Sequence, residues 1–146
     1  MKNTENNAPR LFLDTNIIID YLLFRGDEAM AIEHIFESSM DESVILYIAA
    51  HSLTNIYYIL RKEYSSGERK QLILNLCALC RVAEINSECI EDSISNNYAV
   101  DLEDSLQIRC AVETKCDYFL TRDFELFEKS PVKTILPHEI VKKINL

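Results

Sequence analysis

The sequence has little of what marks linkers, membrane spans and export signals. Its 146 residues include only 2 Gly and 3 Pro, too few for long disordered linkers. No apolar run approaches the roughly 20 residues that a membrane-spanning helix needs, and the polar segment 1–10 lacks the apolar core of a signal peptide. Together with the chain length, these absences predict a cytoplasmic protein with one domain over residues 1–146 and a flexible tail at residues 1–9.

Positive charge is also scarce in this sequence. Lys and Arg together number 15, against 24 Asp and Glu, and the formal net charge is −9. This balance argues against a protein that binds nucleic acid through a broad basic face. It is compatible with an enzyme that has an acidic metal pocket and a few local cations, and with a protein that binds a basic partner segment.

The cysteines are odd in number, which predicts free thiols in a reducing compartment. They are Cys77, Cys80, Cys89, Cys110 and Cys116. Cys77 and Cys80 have the spacing of half a zinc site or of a redox pair. However, they follow an apolar, helix-like run, and no second pair or suitable histidine lies nearby in the sequence. We interpret both as buried helix packing.

Short apolar runs alternate with helix-like segments along the chain. The runs predict strands at residues 10–14, 44–48, 81–85, 118–120 and 132–136. Helical patterns cover residues 16–24, 28–40, 52–64, 68–80, 87–94, 101–114 and a closing segment from Pro137. The expected caps are Thr15 or Asn16, Asp27, Ser52 or Thr54, Ser87 and Asp101. The alternation predicts an α/β fold in which helices cover both faces of a mainly parallel sheet.

Carboxylates closely follow the apolar residues of two predicted strands. In residues 11–20, Leu-Phe-Leu-Asp-Thr-Asn-Ile-Ile-Ile-Asp, Asp14 comes at the end of the first apolar run. Asp123 follows the run 118–120 in the same way. The carboxyl ends of parallel strands meet at one edge, where open α/β sheets bind ligands. Asp14 alone has two equally open interpretations, a catalytic carboxylate or a cap for the next helix.

Two further carboxylates open the helix predicted at residues 101–114. Asp101 and Asp104 are three residues apart, so they share a helix face. Asp101 is expected to cap the helix, whereas Asp104 borders its apolar face and has no such role. Carboxylates gathered at one edge repel one another unless a cation such as Mg²⁺ or Mn²⁺ balances them. Such ions support hydrolysis of phosphate esters, with nucleic acid among the candidate substrates.

Four motifs resemble, in order and spacing, those of PIN domains. They are Leu-Asp-Thr-Asn-Ile-Ile-Ile-Asp (13–20), Tyr-Ile-Ala-Ala-His-Ser-Leu-Thr-Asn-Ile-Tyr-Tyr-Ile-Leu-Arg (47–61), Asp-Leu-Glu-Asp-Ser-Leu-Gln (101–107) and Asp-Tyr-Phe-Leu-Thr-Arg-Asp (117–123). The resemblance implies a three-layer α/β/α fold and a Mg²⁺- or Mn²⁺-dependent ribonuclease. It also implies an RNA substrate, a toxin that pairs with an antitoxin protein, and a homodimer.

Carried over by position, the resemblance assigns Asp14, Asp104 and Asp123 as catalytic, metal-binding acids, and Asp101 as an additional metal ligand. The family usually has a further acid, a Glu early in the third helix, and here Asn55 stands in its place. Asn carries no charge and binds hard cations less well.

Three outcomes of this departure are open. The site works because Asp101 or Glu103 compensates, or the nuclease is weakened, or the protein is inactive and acts by binding protein or RNA. Of these, we favour residual metal-dependent activity.

The second-tier candidates flank these acids. They are Asn55, Asn16, Thr121, Arg122 and His51. His51 could contact metal or substrate, although a lone loop histidine is more often a surface or capping residue. Arg122 could hold a phosphate or be an outward-facing charge at the rim. A phospho-aspartate phosphatase is disfavoured because Asp14-Thr15-Asn16 lacks a second Asp two residues after the first.

Overall fold

The computed structural model describes residues 7–146 and contains one five-stranded sheet. The strands are β1 (Arg10–Leu13), β2 (Ile45–Ala49), β3 (Arg81–Ala83), β4 (Tyr118–Leu120) and β5 (Lys133–Ile135). Their spatial order is β3-β2-β1-β4-β5, and all four neighbouring pairs are parallel. The predicted mainly parallel sheet is therefore confirmed, and each of its pairings is parallel.

Residues 7–146 also form seven α-helices, of which the last follows the final strand. They are α1 (Thr15–Leu23), α2 (Ala29–Met40), α3 (Ala50–Ile59), α4 (Ser66–Leu79), α5 (Ser87–Asn96), α6 (Leu102–Glu113) and α7 (Pro137–Lys143). Short 3-10 helices cover Leu60–Lys62 and Phe124–Phe127. None of the helices in this part of the chain combines the length and hydrophobicity that a membrane crossing requires.

Both faces of the sheet are covered by helices. Side chains alternate between the two faces of a strand, so Leu11 and Leu13 of β1 pack into one buried cluster with residues of α1, α2, α3, α4 and α7. Phe12 of β1 and Phe119 of β4 pack into the cluster on the other face, which includes residues of α6. The predicted three-layer α/β/α fold is confirmed.

The strand order reverses between β1 and β4. From β1 the chain continues outward through β2 and β3, and it then returns to the other side of β1 as β4. The backbone N–H of Asp14 donates to Leu120 O at 3.0 Å, so the carboxyl ends of β1 and β4 are adjacent. In open α/β sheets such a reversal leaves a crevice at the carboxyl edge, where ligands bind.

Several predicted caps are wrong because other groups occupy the cap positions. Helix α1 begins at Thr15, so Thr15 and Asn16 are helical residues whose side chains make tertiary contacts instead. Helix α3 begins at Ala50 and therefore contains Ser52 and Thr54. These two helices continue directly from buried strands, so they begin without a side-chain cap.

Of the remaining cap predictions, those for α2 and α5 are wrong and the one for α6 is confirmed. Glu28 rather than Asp27 occupies the cap position of α2, and no side chain caps that helix. Asn86 rather than Ser87 caps α5, since its side chain accepts from Cys89 N at 3.0 Å. Asp101 caps α6 as predicted.

The cysteine prediction is right only in part, and the tail prediction falls mostly outside the described residues. The tail predicted at residues 1–9 lies outside the described residues for positions 1–6. Pro9 does not fit that prediction, because its carbonyl accepts from Ile45 N at 2.9 Å and extends the sheet pairing. All five cysteines are free. Cys80 is buried, which raises its pKa to about 12, but Cys77 is exposed, so helix packing was wrong for that residue.

Candidate active site

Asp14 lies at the floor of the crevice between β1 and β4. It is 3% exposed. Its Oδ2 accepts from Thr121 Oγ1 at 2.9 Å, and its Oδ1 accepts from Gln107 Nε2 at 3.2 Å. The carboxylate makes no capping hydrogen bond to α1. The capping interpretation of Asp14 is therefore wrong, and its side chain is held instead by Thr121, which follows β4, and by Gln107 of α6.

Gln107 of α6 forms hydrogen bonds with Asp14 and Thr15, the two residues that follow β1. It is fully buried in α6. Its Nε2 donates to Asp14, while its Oε1 accepts from Thr15 N at 3.1 Å. Thr15 Oγ1 also donates to Ser52 Oγ of α3 at 2.8 Å. Sequence reasoning missed Gln107 and Ser52. The available signal was an amide on a helix face that is otherwise apolar, where an unpaired polar group is costly.

Asp123 lies beside Asp14 and is held by two second-tier residues. Its Oδ2 accepts from Asn16 Nδ2 at 3.2 Å. Its backbone N–H donates to Thr121 Oγ1 at 3.0 Å, so that hydroxyl bridges the Asp123 backbone and the Asp14 carboxylate. The charge of Asp123 also raises the pKa of Asp14. The structure thus brings together the two aspartates that follow β1 and β4.

Three acids cluster at the start of α6. Asp101, Glu103 and Asp104 each present a carboxylate oxygen within 4.8 Å of the other two. Asp101 Oδ1 accepts from Glu103 N at 2.9 Å, which is the predicted cap. The charge of Asp14 raises the pKa of Asp104, so this cluster and Asp14 influence each other electrostatically.

Glu103 extends from α6 towards the first turns of α1 and α3. Its Oε1 is close to side chains from both helices and from its own. They are His51 Nε2 at 3.3 Å, Thr15 Oγ1 at 3.3 Å, Gln107 Nε2 at 3.4 Å and Asn55 Nδ2 at 3.5 Å. A carboxylate therefore lies beside Asn55, although it comes from α6 and not from α3.

His51 lies within the first turn of α3 and not in a preceding loop. Its side chain is one-fifth exposed, and both ring nitrogens are buried. His51 Nε2 lies at an ion-pair distance from Glu103 Oε1, but the two atoms do not form a hydrogen bond. Interaction with His51 lowers the pKa of Glu103. The surface and capping interpretations of His51 are thus wrong, because the imidazole packs against an acid.

Arg122 contacts none of these acids. Its Nε donates to Asp20 Oδ2 at 3.0 Å, and its side chain is 41% exposed. Asp20 is buried and received no role in the sequence analysis. Arg122 therefore precedes Asp123 in the sequence, but its side chain is oriented towards α1.

Two acids of this site, Asp14 and Asp104, resist ionisation. Burial raises the pKa of Asp14 to about 6, although the hydrogen bonds from Thr121 and Gln107 act in the opposite direction. Burial also raises the pKa of Asp104 to about 7, and the adjacent Glu103 adds to this rise. Oxygen ligands that gain a counter-charge by binding a cation suit Mg²⁺ or Mn²⁺. The residues present therefore fit the divalent ion that the sequence predicted.

The metal-free protein is expected to lose stability as the pH rises from about 4 to about 7. Asp14 and Asp104 bind protons more tightly in the folded state, so their stabilising contribution is complete at low pH and is lost as the pH passes their folded pKa values. For Asp14 the shift from 3.8 to about 6 corresponds to about 3 kcal/mol.

Urea unfolding across this pH range measures the effect, and the difference between the wild type and Asp14→Asn isolates the Asp14 part. A difference that does not change with pH would contradict the assignment.

Comparison with known sequences supports the resemblance found in the motifs. A family model described as a PIN domain matches residues 10–125. No curated protein matches the chain.

Solved structures with the same fold share little sequence with this chain. VapBC-1 from nontypeable Haemophilus influenzae is 14% identical, with a TM-score of 0.65 over 88% of this chain and 98% of that chain. VapBC2 from Rickettsia felis, bound to a DNA fragment from their promoter, is 12% identical, with a TM-score of 0.63 over 87% and 98%. VapC20 from Mycobacterium tuberculosis, a sarcin-ricin loop cleaving toxin, is 10% identical, with a TM-score of 0.59 over 75% and 86%. These similarities show the fold.

Proposed function

Because the chain belongs to the PIN domain family, we propose that it is a metal-dependent ribonuclease that hydrolyses phosphodiester bonds of RNA. The observation that carries this proposal is the gathering of acids from three elements at the switch point of the sheet. They are Asp14 after β1, Asp123 after β4, and Glu103 and Asp104 on α6. Their sequence positions match the motifs on which the resemblance rests.

The proposed metal ligands include one carboxylate whose neighbours fix its orientation. Asp14, Asp104 and Asp123 are the proposed catalytic ligands of Mg²⁺ or Mn²⁺, with Asp101 beside them. When bound, the ion supplies a Lewis acid that polarises the phosphodiester and lowers the pKa of a water molecule. Thr121 and Gln107 hold the two oxygens of Asp14 through hydrogen bonds, so this carboxylate is already oriented.

Glu103 is the residue that we propose compensates for Asn55. Its carboxylate lies beside the amide of Asn55, and His51 favours its ionised form by lowering its pKa. Asp101 is less suited to this role, because it is exposed and one of its oxygens caps α6. Of the three outcomes open from the sequence, the first is therefore the one that these contacts favour.

The proposal extends to a toxin whose partner is an antitoxin protein. Support comes from the shared fold with VapC20, described as a cleaving toxin, and with the two VapBC structures. The net charge of −9 suits a basic segment on such a partner. The homodimer, the single-domain organisation and the cytoplasmic location stay predictions.

RNA cleavage by the purified chain is expected only when a divalent cation is present. The assay follows a labelled RNA with EDTA, and again after addition of Mg²⁺ or Mn²⁺. Calorimetry with Mn²⁺ is expected to show binding that Asp104→Asn weakens and that Glu113→Gln, at the far end of the same helix, leaves unchanged. Equal cleavage in EDTA would contradict the metal dependence.

A non-catalytic, PIN-like binding protein is the second candidate, and the uncharged Asn55 is the observation that favours it. This candidate predicts no heat of Mn²⁺ binding and no cleavage of any RNA tested. Recovery of cleavage in Asn55→Glu would then identify the chain as an inactivated nuclease.

A further inference from the structure

A second cleft lies beside α1, next to the acidic site. Its volume is about 470 Å³. We call it the arginine cleft, and it is lined by Asp20, Arg25, Gly26, Asp27, Glu28 and Arg122, with Leu136 at one side. None of these residues belongs to the acid cluster at the carboxyl edge of the sheet.

Asp20 forms an ion pair with each of the two arginines. Its side chain is only 4% exposed. Arg25 Nε donates to Oδ1 at 2.9 Å, and Arg122 Nε donates to Oδ2 at 3.0 Å. One buried carboxylate is thus shared by two guanidinium groups, which leaves a surplus of one positive charge.

The outer ends of both arginines are available for a ligand. A guanidinium group has five N–H donors, and each arginine uses its Nε on Asp20. Between residues 7 and 146, neither pair of Nη atoms has a hydrogen-bond acceptor, and the Arg25 and Arg122 side chains are 49% and 41% exposed. Two anchored, planar groups that offer N–H donors suit the oxygens of a phosphate.

Gly26 forms part of the wall of the cleft. Its φ of +81° favours glycine, because residues with a side chain rarely adopt that conformation. A Cβ added there would lie 4.0 Å from Asp20 Oδ2, so this stretch of backbone borders the shared carboxylate directly. The turn after α1 therefore needs glycine for its backbone conformation and lies beside the shared carboxylate.

The arginine cleft and the acidic site share two elements. Asn16 and Asp20 are one turn apart on α1, which separates their side chains by about 5–6 Å. Asn16 binds Asp123, and Asp20 binds Arg122, the residue that precedes Asp123. A strand whose scissile phosphate is at the acids would thus bring a neighbouring phosphate near the arginines.

We propose that the arginine cleft binds a phosphate of the RNA backbone. This phosphate is next to the scissile phosphate on the same strand. The choice of RNA rests on the proposed function. The lining of the cleft holds two arginines and the carboxylates Asp20, Asp27 and Glu28, so a phosphate would be attracted at the guanidinium ends and not by the cleft as a whole. Asp27 opposes binding at the exposed rim. The Glu28 carboxylate is engaged by the backbone N–H and Nδ1 of His138.

Loss of either arginine is expected to weaken RNA binding. Fluorescence anisotropy with a labelled single-stranded RNA measures this in the Asp14→Asn background, where cleavage does not interfere. Arg25→Gln and Arg122→Gln should each weaken binding about tenfold and reduce the slope of log Kd against log salt concentration by roughly 0.7. The matched control is Arg61→Gln, an exposed arginine in the 3-10 helix after α3, which should change neither quantity.

A second variant tests the cleft without disturbing a buried group. Asp27→Asn removes the exposed negative charge at the rim and should tighten RNA binding about threefold. Thermal unfolding, followed by circular dichroism, shows that each variant is folded. Unchanged RNA binding in folded Arg25→Gln and Arg122→Gln overturns the proposal. It is also overturned if these variants weaken binding of inorganic phosphate but not of RNA, because the cleft would then hold a small anion.

Cleavage by the wild type separates this inference from the proposed function. If no RNA is cleaved with Mg²⁺ or Mn²⁺ but the arginine variants weaken RNA binding, the ribonuclease proposal fails and the arginine cleft stands. If RNA is cleaved and the arginine variants change neither KM nor binding, the arginine cleft fails and the ribonuclease proposal stands.

Discussion

Replacement of Asp14 by Asn is expected to reduce RNA cleavage by about 10³-fold, the scale of losing one preorganised charge at a reacting centre. The same change should make the metal-free protein more stable near pH 7. The wild-type carboxylate must ionise in a buried position, where its pKa is raised to about 6, and Asn carries no charge. A side chain that lowers stability but is needed for activity is typical of a functional site.

Cleavage rates and urea unfolding at neutral pH, measured on the same preparations, test this pair of effects. Asp41→Asn is the matched control, because Asp41 is exposed in the turn before β2, at the opposite edge of the sheet. It should change cleavage by less than about twofold. Full cleavage by Asp14→Asn would show that this carboxylate does not hold the catalytic ion.

Glu103→Gln is expected to lower cleavage by about 10²-fold, because it removes the only acidic group that contacts Asn55 in the described part of the chain. Adding Asn55→Glu to this variant should recover much of the loss. The new carboxylate would project from α3 towards the place that the Glu103 carboxylate occupies, so the charge of the site would be restored from a different helix.

The comparison uses four proteins, namely the wild type, Glu103→Gln, the double variant and Glu113→Gln as control. Each is assayed for cleavage and for Mn²⁺ affinity by calorimetry, since recovery of both quantities together distinguishes restored charge from restored folding. If Glu103→Gln cleaves as fast as the wild type, the three aspartates suffice and Glu103 has no compensating role.

The acid that the motif lacks at Asn55 is therefore matched in the structure by an acid from another helix, Glu103. In the motifs the position is one where the usual acid is missing, yet Glu103 of α6 lies beside it, and His51 lowers the pKa of Glu103. Neither residue indicates a function by itself, because Asn55 is exposed and one histidine does not define a site. Both residues contact the Glu103 carboxylate, so we interpret them together as its neighbours.

Most of the fold could be predicted from local patterns. Apolar runs placed all five strands within a few residues of their ends, and helical spacing placed all seven helices. The location of Asp14 and Asp123 followed as well, because parallel strands have their carboxyl ends at one edge. Helix starts were less predictable, since the backbones of α1 and α3 continue from buried strands and leave no capping side chain to detect.

The contacts that orient the acids could not be predicted in the same way. Gln107 and Asp14 are 93 residues apart, and Arg122 and Asp20 are 102 residues apart. Nothing in the spacing along the chain relates such residues. Their partners depend on how α1 and α6 pack against the sheet, which is a property of the whole core.

The sequence by itself determined the layers, the parallel sheet and the edge at which the acids lie, because periodicity and strand direction are local properties of the chain. Only the tertiary structure decided that Asp14 is buried and held by Thr121 and Gln107, that Glu103 lies beside Asn55, and that Asp20 joins two arginines. These pairings arise where helices distant in sequence converge, and desolvation makes each buried polar group depend on the partner that it meets there.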